Sequence, residues 1–150
     1  MNKIEVYDTT LRDGAQGESI SFSLDEKIKI CQRLDNIGID FIEGGWPGSN
    51  PKDVAFFKEI KKKRLKNSKI IAFGSTRRAK NSAGKDKNLN ALLSAKTEIV
   101  AIFGKSWDLH AREVLHISLE KNLKIIEDSI KYLKRNNCRV FFDAEHFFDG

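Results

Sequence analysis

Glu98 to Gly104 reads E-I-V-A-I-F-G, apolar at successive positions rather than at alternate ones, so both of its faces must be covered. A strand of that kind belongs to a parallel sheet with helices packed against it, because an antiparallel sheet with one wet face shows apolar–polar alternation. Similar short runs lie on either side at Ile4 to Thr9, Phe41 to Glu43, Lys69 to Ser75 and Arg139 to Ala144. Between them the spacing turns helical. Ser23-Leu24-Asp25-Glu26 is a capping-box signature, followed by Leu24, Ile28, Cys31 and Leu34 at helical spacing and stopped by Gly38. Asn50-Pro51 caps and opens a second helix, with Val54, Phe57 and Ile60 as its predicted inner face. A short third covers Asn88 to Lys96, and Ser118 caps a long fourth with Leu119, Leu123, Ile126, Ile130 and Leu133 on one stripe.

Composition narrows the class. With 40% hydrophobic and 32% charged residues in 150, the chain is globular rather than disordered, and no apolar run approaches the roughly 20 residues that cross a bilayer. Met1-Asn2-Lys3 leads straight into Ile4 without the apolar region of an export signal, and Cys31 and Cys138 read as ordinary reduced thiols, so a cytoplasmic protein is expected. The net charge of +6 invites an anionic partner. Yet Lys and Arg alternate with Glu and Asp along the helices, and nothing interleaves basic with aromatic residues as nucleic-acid binding requires. Lys61-Lys62-Lys63-Arg64 reads as a solvated helix end favoured by the macrodipole.

Alternating β and α has two common solutions, an open doubly wound sheet and a (β/α)8 TIM barrel, and both place ligands at the C-terminal ends of the strands. Those ends collect ionisable groups: Arg12 and Asp13 after the first strand, Glu43 at the second, Arg77 and Arg78 after the third. Lys105, Ser106 and His110 follow the fourth, and Glu145 the fifth. No phosphate-cradling G-x-G-x-x-G or Walker pattern follows the first strand, which favours the barrel, with its first five strands and four helices in residues 1–150. Tyr7 to Glu18, Y-D-T-T-L-R-D-G-A-Q-G-E, is the densest chemical stretch. A strand end facing a ligand can use its cation to steady developing negative charge and its carboxylates to hold a divalent ion; taken alone, it reads equally as a solvated loop with a local ion pair.

D-T-T-L-R-D-G-A-Q at Asp8 to Gln16 resembles the opening signature of a metal-dependent barrel family that includes isopropylmalate, homocitrate and citramalate synthases and hydroxymethylglutaryl-CoA lyases. I-E-G-G-W-P-G-S-N-P-K-D at Ile42 to Asp53, A-F-G-S-T-R-R at Ala72 to Arg78 and F-D-A-E-H-F-F-D-G at Phe142 to Gly150 are similar to its citramalate synthase branch. The resemblance implies condensation of acetyl-CoA with pyruvate, an entry to isoleucine synthesis, by a cytoplasmic homodimer with a divalent metal (Mg2+, Mn2+ or Zn2+). It implies Asp13 as a metal ligand, Arg12 as the group that polarises a carbonyl, and Glu145 in proton transfer. Gln16, Glu43, Ser106 and His110 are implied as substrate-binding, Glu43 reading equally as a structural partner of Arg12. His116 reads as a packing residue in a helical stretch, and His146 as a support beside Glu145. Arg77, Arg78 and Lys80 fit a mobile solvated loop better than a phosphate site. Trp46 and Trp107 lie in rim loops and could wall a pocket.

The chain also departs from that family. Its three histidines, His110, His116 and His146, include no H-x-H pair, with which the family completes its metal site. An ordinary barrel has eight strands and about 250 residues. The expectation is therefore the N-terminal part of a longer enzyme, inactive alone. A synthase using a longer 2-keto acid, or a non-catalytic partial barrel, are the competing readings.

Overall fold

The computed structural model describes residues 3–150, so the leader reading of Met1 and Asn2 lies outside it. Its main elements are β1 (Tyr7–Asp8), α1 (Leu24–Asn36), β2 (Phe41–Gly45), α2 (Pro51–Ile60), β3 (Lys69–Ser75), α3 (Lys87–Ala95), β4 (Ile99–Lys105), α4 (Leu119–Arg135) and β5 (Arg139–Glu145). The strands form one sheet in sequence order, every neighbouring pair parallel, with β1 and β5 outermost. Five strands and four α-helices of a (β/α) barrel are therefore in place.

The two faces of the sheet carry separate apolar clusters. Ile42, Ala72, Val100 and Ile102 point outward against Ile28, Cys31, Phe56, Leu89 and Leu133 of the helices. Phe41, Ile71, Phe73, Ile99 and Ala101 point inward, with Tyr7, Trp46, Phe103 and Phe141 packed on them. That double coverage is why the strands are apolar at successive positions. Ser23 accepts from the Glu26 N–H while Glu26 answers at the Ser23 N–H, and Gly38 takes φ +88° to end α1.

Three elements differ from expectation. The first strand is short: the Val6 carbonyl still accepts from the Phe41 N–H at 3.0 Å, but the Val6 N–H donates to the Asp40 carboxylate at 2.9 Å and Ile4 is 86% exposed, so the backbone ladder does not extend back to Ile4. In α2 the buried residues are Asp53, Phe56, Phe57 and Ile60, while Val54 faces outward. The turn follows from Asp53, which is drawn inward to a lysine described below. In α4 the buried positions are Asn122, Ile125, Ser129 and Leu133, and Leu123 is 66% exposed. Asn122 donates to the Lys105 carbonyl at 2.8 Å, and Ser129 accepts from the Arg77 N–H at 2.9 Å. Two satisfied polar side chains thus rotate the helix away from the face that apolar spacing selects.

Candidate active site

The loop after β1 turns back at once: the N–H groups of Arg12, Asp13 and Gly14 all point to the Thr9 carbonyl. Asp8 accepts from the N–H and the hydroxyl of Thr10, both at 3.0 Å, which fixes the exit of the strand. This tight turn carries Arg12 across the sheet end. Its Nε donates to Glu43 of β2, its Nη1 to Asp13 at 2.9 Å, and its guanidinium carbon lies 3.8 Å from the centre of the Phe73 ring. Nη2 makes no hydrogen bond among the described residues. An arginine held on two edges and one face, with one amino group free, is preorganised to donate to a developing oxyanion.

Glu43 is buried on β2 and accepts from the Tyr7 hydroxyl at 2.5 Å as well as from Arg12. Burial pushes its carboxyl above the usual range, and nearby Asp143 pushes the same way, while the Tyr7 and Arg12 hydrogen bonds pull it down without cancelling the rise. Tyr7 is raised well above the ordinary phenol value by burial and by its bond to Glu43, so it stays a donor. Tyr7, Arg12, Glu43, Phe141 and Asp143 share a cavity of about 300 Å³ on the inner face of the sheet. A second cavity, of about 270 Å³, opens on the other side of Arg12 and includes Gln16, Trp46 and Lys52.

The other predicted residues form a second group at the ends of β4 and β5. Lys105 pairs with Glu145 at 2.5 Å, directly opposite it in the strand register, and the Ser106 N–H donates to the Glu145 carbonyl at 3.2 Å. The His110 and His146 rings meet edge to face at 4.5 Å, Trp107 lies 4.9 Å from His110, and His146 Nδ1 contacts Asp149 at 3.1 Å. His110 Nδ1 is buried without a hydrogen-bond partner among the described residues. Glu145 is thus held by Lys105, while Arg12 belongs to Glu43 and Asp13.

Some readings need correction. His116 is not in a helix: it follows a π-type turn at His110–Val114, is exposed and has φ +51°. Arg77 is not in solvent but buried, bonded to the carbonyls of Arg78 and Asn81 and to Asp128 of α4 at 2.8 Å; Arg78 and Lys80 are exposed. Residues 61–64 are exposed, as expected of a helix end. Tyr7 and Asp143 were missed. The signal was present, since Phe141, Asp143 and Glu145 alternate along one face of β5.

For a metal, the described residues offer little. No three His, Cys, Asp or Glu side chains among them are grouped to hold an ion, and Asp13 stands alone, its side chain 62% exposed and turned to Arg12. Among the described residues no metal centre is assembled around Asp13.

A parallel sheet whose strands follow one another in unbroken sequence order, with charged groups gathered at its C-terminal rim, defines the (β/α)-barrel class. The family model described as HMGL-like matches residues 3–149, and the chain belongs to that family. It is 61% identical over 150 residues to the (R)-citramalate synthase of Geobacter sulfurreducens, covering all of this chain and 28% of that protein. It is 56% identical over 147 residues to the (R)-citramalate synthase of Sulfolobus acidocaldarius, covering 98% of this chain and again 28% of the relative. A 2-isopropylmalate synthase of Brevibacillus brevis is 31% identical over 145 residues, 97% of this chain and 27% of that protein. The chain therefore spans little more than a quarter of the length of these relatives. Among solved structures, the HMG-CoA lyase of Bacillus subtilis superposes with a TM-score of 0.71 at 20% identity, over 93% of this chain and 45% of that one. Among the described residues no helix is long and apolar enough to cross a membrane.

Proposed function

We propose that this chain supplies the first strands of a barrel that condenses acetyl-CoA with pyruvate to give citramalate and free CoA. The observation that carries this reading is Arg12, clamped between Glu43, Asp13 and the Phe73 ring with one amino group free at the rim. The choice of pyruvate over a longer 2-keto acid is supported by the contrast between 61% and 31% identity.

In the reaction a methyl proton leaves acetyl-CoA, the resulting enolate carbon attacks the keto carbon of pyruvate, and the keto oxygen becomes an alkoxide. Water then cleaves the thioester, releasing CoA as the thiol. Arg12 Nη2 donates to the keto oxygen and grows stronger as that oxygen gains charge. Glu43 holds the Nε edge of the guanidinium, and Tyr7 holds Glu43. Glu145, steadied by Lys105, is assigned to proton transfer, with Ser106 and His110 orienting substrate beside it and Gln16 lining the cavity next to Arg12. Asp13 is assigned as one ligand of a divalent metal, which would polarise a substrate carbonyl when bound and whose other ligands lie outside these residues. Pairing as a homodimer belongs to the same proposal.

The test is a hybrid in which this chain replaces the matching 150 residues of the Geobacter enzyme. Thiol release from acetyl-CoA is expected with pyruvate and to be much slower with longer 2-keto acids. Preference for a longer acid would sink the pyruvate assignment, and no release with any keto acid in a folded hybrid would sink the condensation.

A further inference from the structure

Beneath Arg12 lies an ion pair that the reaction does not use. Lys27 of α1 and Asp53 of α2 meet at 2.5 Å with side chains only 4% and 9% exposed. A buried pair of this kind adds little over a well-packed apolar pair, and a registry role is its best-attested use. Here the second Asp53 oxygen accepts the Trp46 N–H at 2.8 Å. The backbone is shaped to allow it: Gly45 has φ +143°, and a Cβ there would sit 2.3 Å from the Asp53 carboxyl carbon. The other end of Trp46 is fixed too. Its indole N–H donates to Asn88 Oδ1 of α3 at 2.6 Å, and Asn88 Nδ2 donates to the Ser75 carbonyl at the end of β3, also at 2.6 Å. Cβ atoms on Gly48 and Gly74 would come within 2.9 Å and 3.0 Å of that Asn88 oxygen, so both glycines make room for the contact.

The indole so held is the base of an aromatic stack. Its ring packs edge-on to Phe73 at 5.8 Å and to Phe103 at 5.5 Å, and Phe73 carries the Arg12 guanidinium on its face. We propose that Asp53, with Lys27 and Asn88, is a positioning device that locks Trp46 beneath Phe73 and thereby sets the plane of the Arg12 guanidinium at the rim. It explains why α2 turns Asp53 inward and Val54 out. The catalytic sense of the device rests on the role proposed for Arg12, but the position it sets does not.

The test reads position first. In nitrogen-15 NMR spectra of this chain, the Arg12 Nε–H is expected to be shifted by the Phe73 ring and protected by Glu43, and the Trp46 indole N–H to be protected by Asn88. Asp53→Asn and Asn88→Ala, each checked for folding by circular dichroism, are expected to move both signals toward solvent-exposed positions. Lys62→Met, which breaks the exposed pair of Lys62 with Glu59, is expected to move neither. If Asp53→Asn does not fold, Asn88→Ala alone decides. Both signals unchanged in a folded variant would overturn the proposal. In the Geobacter hybrid the same two variants are expected to lower kcat by about 10- to 100-fold, the scale of a misplacement near 1 Å, with a smaller change in KM. Moved signals with unchanged kcat would refute the link to turnover. Moved signals in a hybrid that Arg12→Ala leaves active would keep the positioning and discard the catalytic role of Arg12.

Discussion

Glu43 is almost completely buried, and its charge partner, Arg12, reaches it from the loop after the neighbouring strand. That inequality sets what each substitution does. Arg12→Ala leaves an ionised carboxylate buried without its cation and is expected to destabilise the chain by about 3 kcal/mol at neutral pH. Because the Glu43 pKa is raised by burial and rises further without Arg12, stability is fully present below the unfolded carboxyl value and is lost as pH rises through the folded one. The penalty should therefore shrink in acid and be largely absent in Arg12→Ala/Glu43→Gln. Urea melts at two pH values measure both, and an equal penalty at both would refute the buried-charge account.

Asp86 caps α3 and is 1% exposed, accepting from the Asn88 and Leu89 N–H groups, the Arg78 N–H and Asn81. Burial raises its pKa, but these four donors outweigh it and hold the carboxyl below its usual value. Asp86→Ala should cost about 2 kcal/mol. The contribution is present above the unfolded carboxyl value and is lost as pH falls through the folded one, so parent and variant should converge in strong acid. Parallel curves down to that pH would contradict this.

Gly45→Ala combines a strained backbone with a Cβ placed against Asp53. A loss of about 2 kcal/mol or more is expected in thermal melts, together with the same movement of the Trp46 indole signal as in Asp53→Asn. An unperturbed indole would separate the glycine from the brace.

Cys31 is fully buried, and its thiol is pushed up to about 12 by burial and by the nearby carboxylates of Asp35 and Asp8. Cys138 is raised by burial too but is partly exposed. At pH 8 a disulfide reagent should label Cys138 first and reach Cys31 only at the rate of unfolding. Two equally fast thiols would place Cys31 outside the core.

How much of this could be read beforehand depended on what each element packs against. β3 and β4 are covered on both faces, so Ile70 to Gly74 and Ile99 to Gly104 announce themselves as unbroken apolar runs. Apolar spacing failed where a polar side chain is buried with its partner supplied by a distant element. Asp53 needs Lys27 from α1, and Ser129 needs the Arg77 N–H from the loop after β3. Neither partner is visible in the local pattern. Arg77 itself looked like a free loop cation for the same reason. At the site, the strand-end rule placed Arg12, Glu43 and Glu145 on one rim, but which carboxylate Arg12 takes is a matter of register and turn geometry. Asp143 was legible by alternation, and it was hidden by its neighbour Glu145, which carries the more recognisable motif.

The most direct measurement compares the Geobacter hybrid with and without Arg12→Lys, following CoA-thiol release with pyruvate. Lysine keeps the charge and loses the planar fork that meets Glu43, Asp13 and a substrate oxygen together. A fall in kcat/KM of about 100-fold or more in a folded hybrid is predicted. Parental turnover in the lysine variant would contradict the assignment of Arg12 to the developing oxyanion.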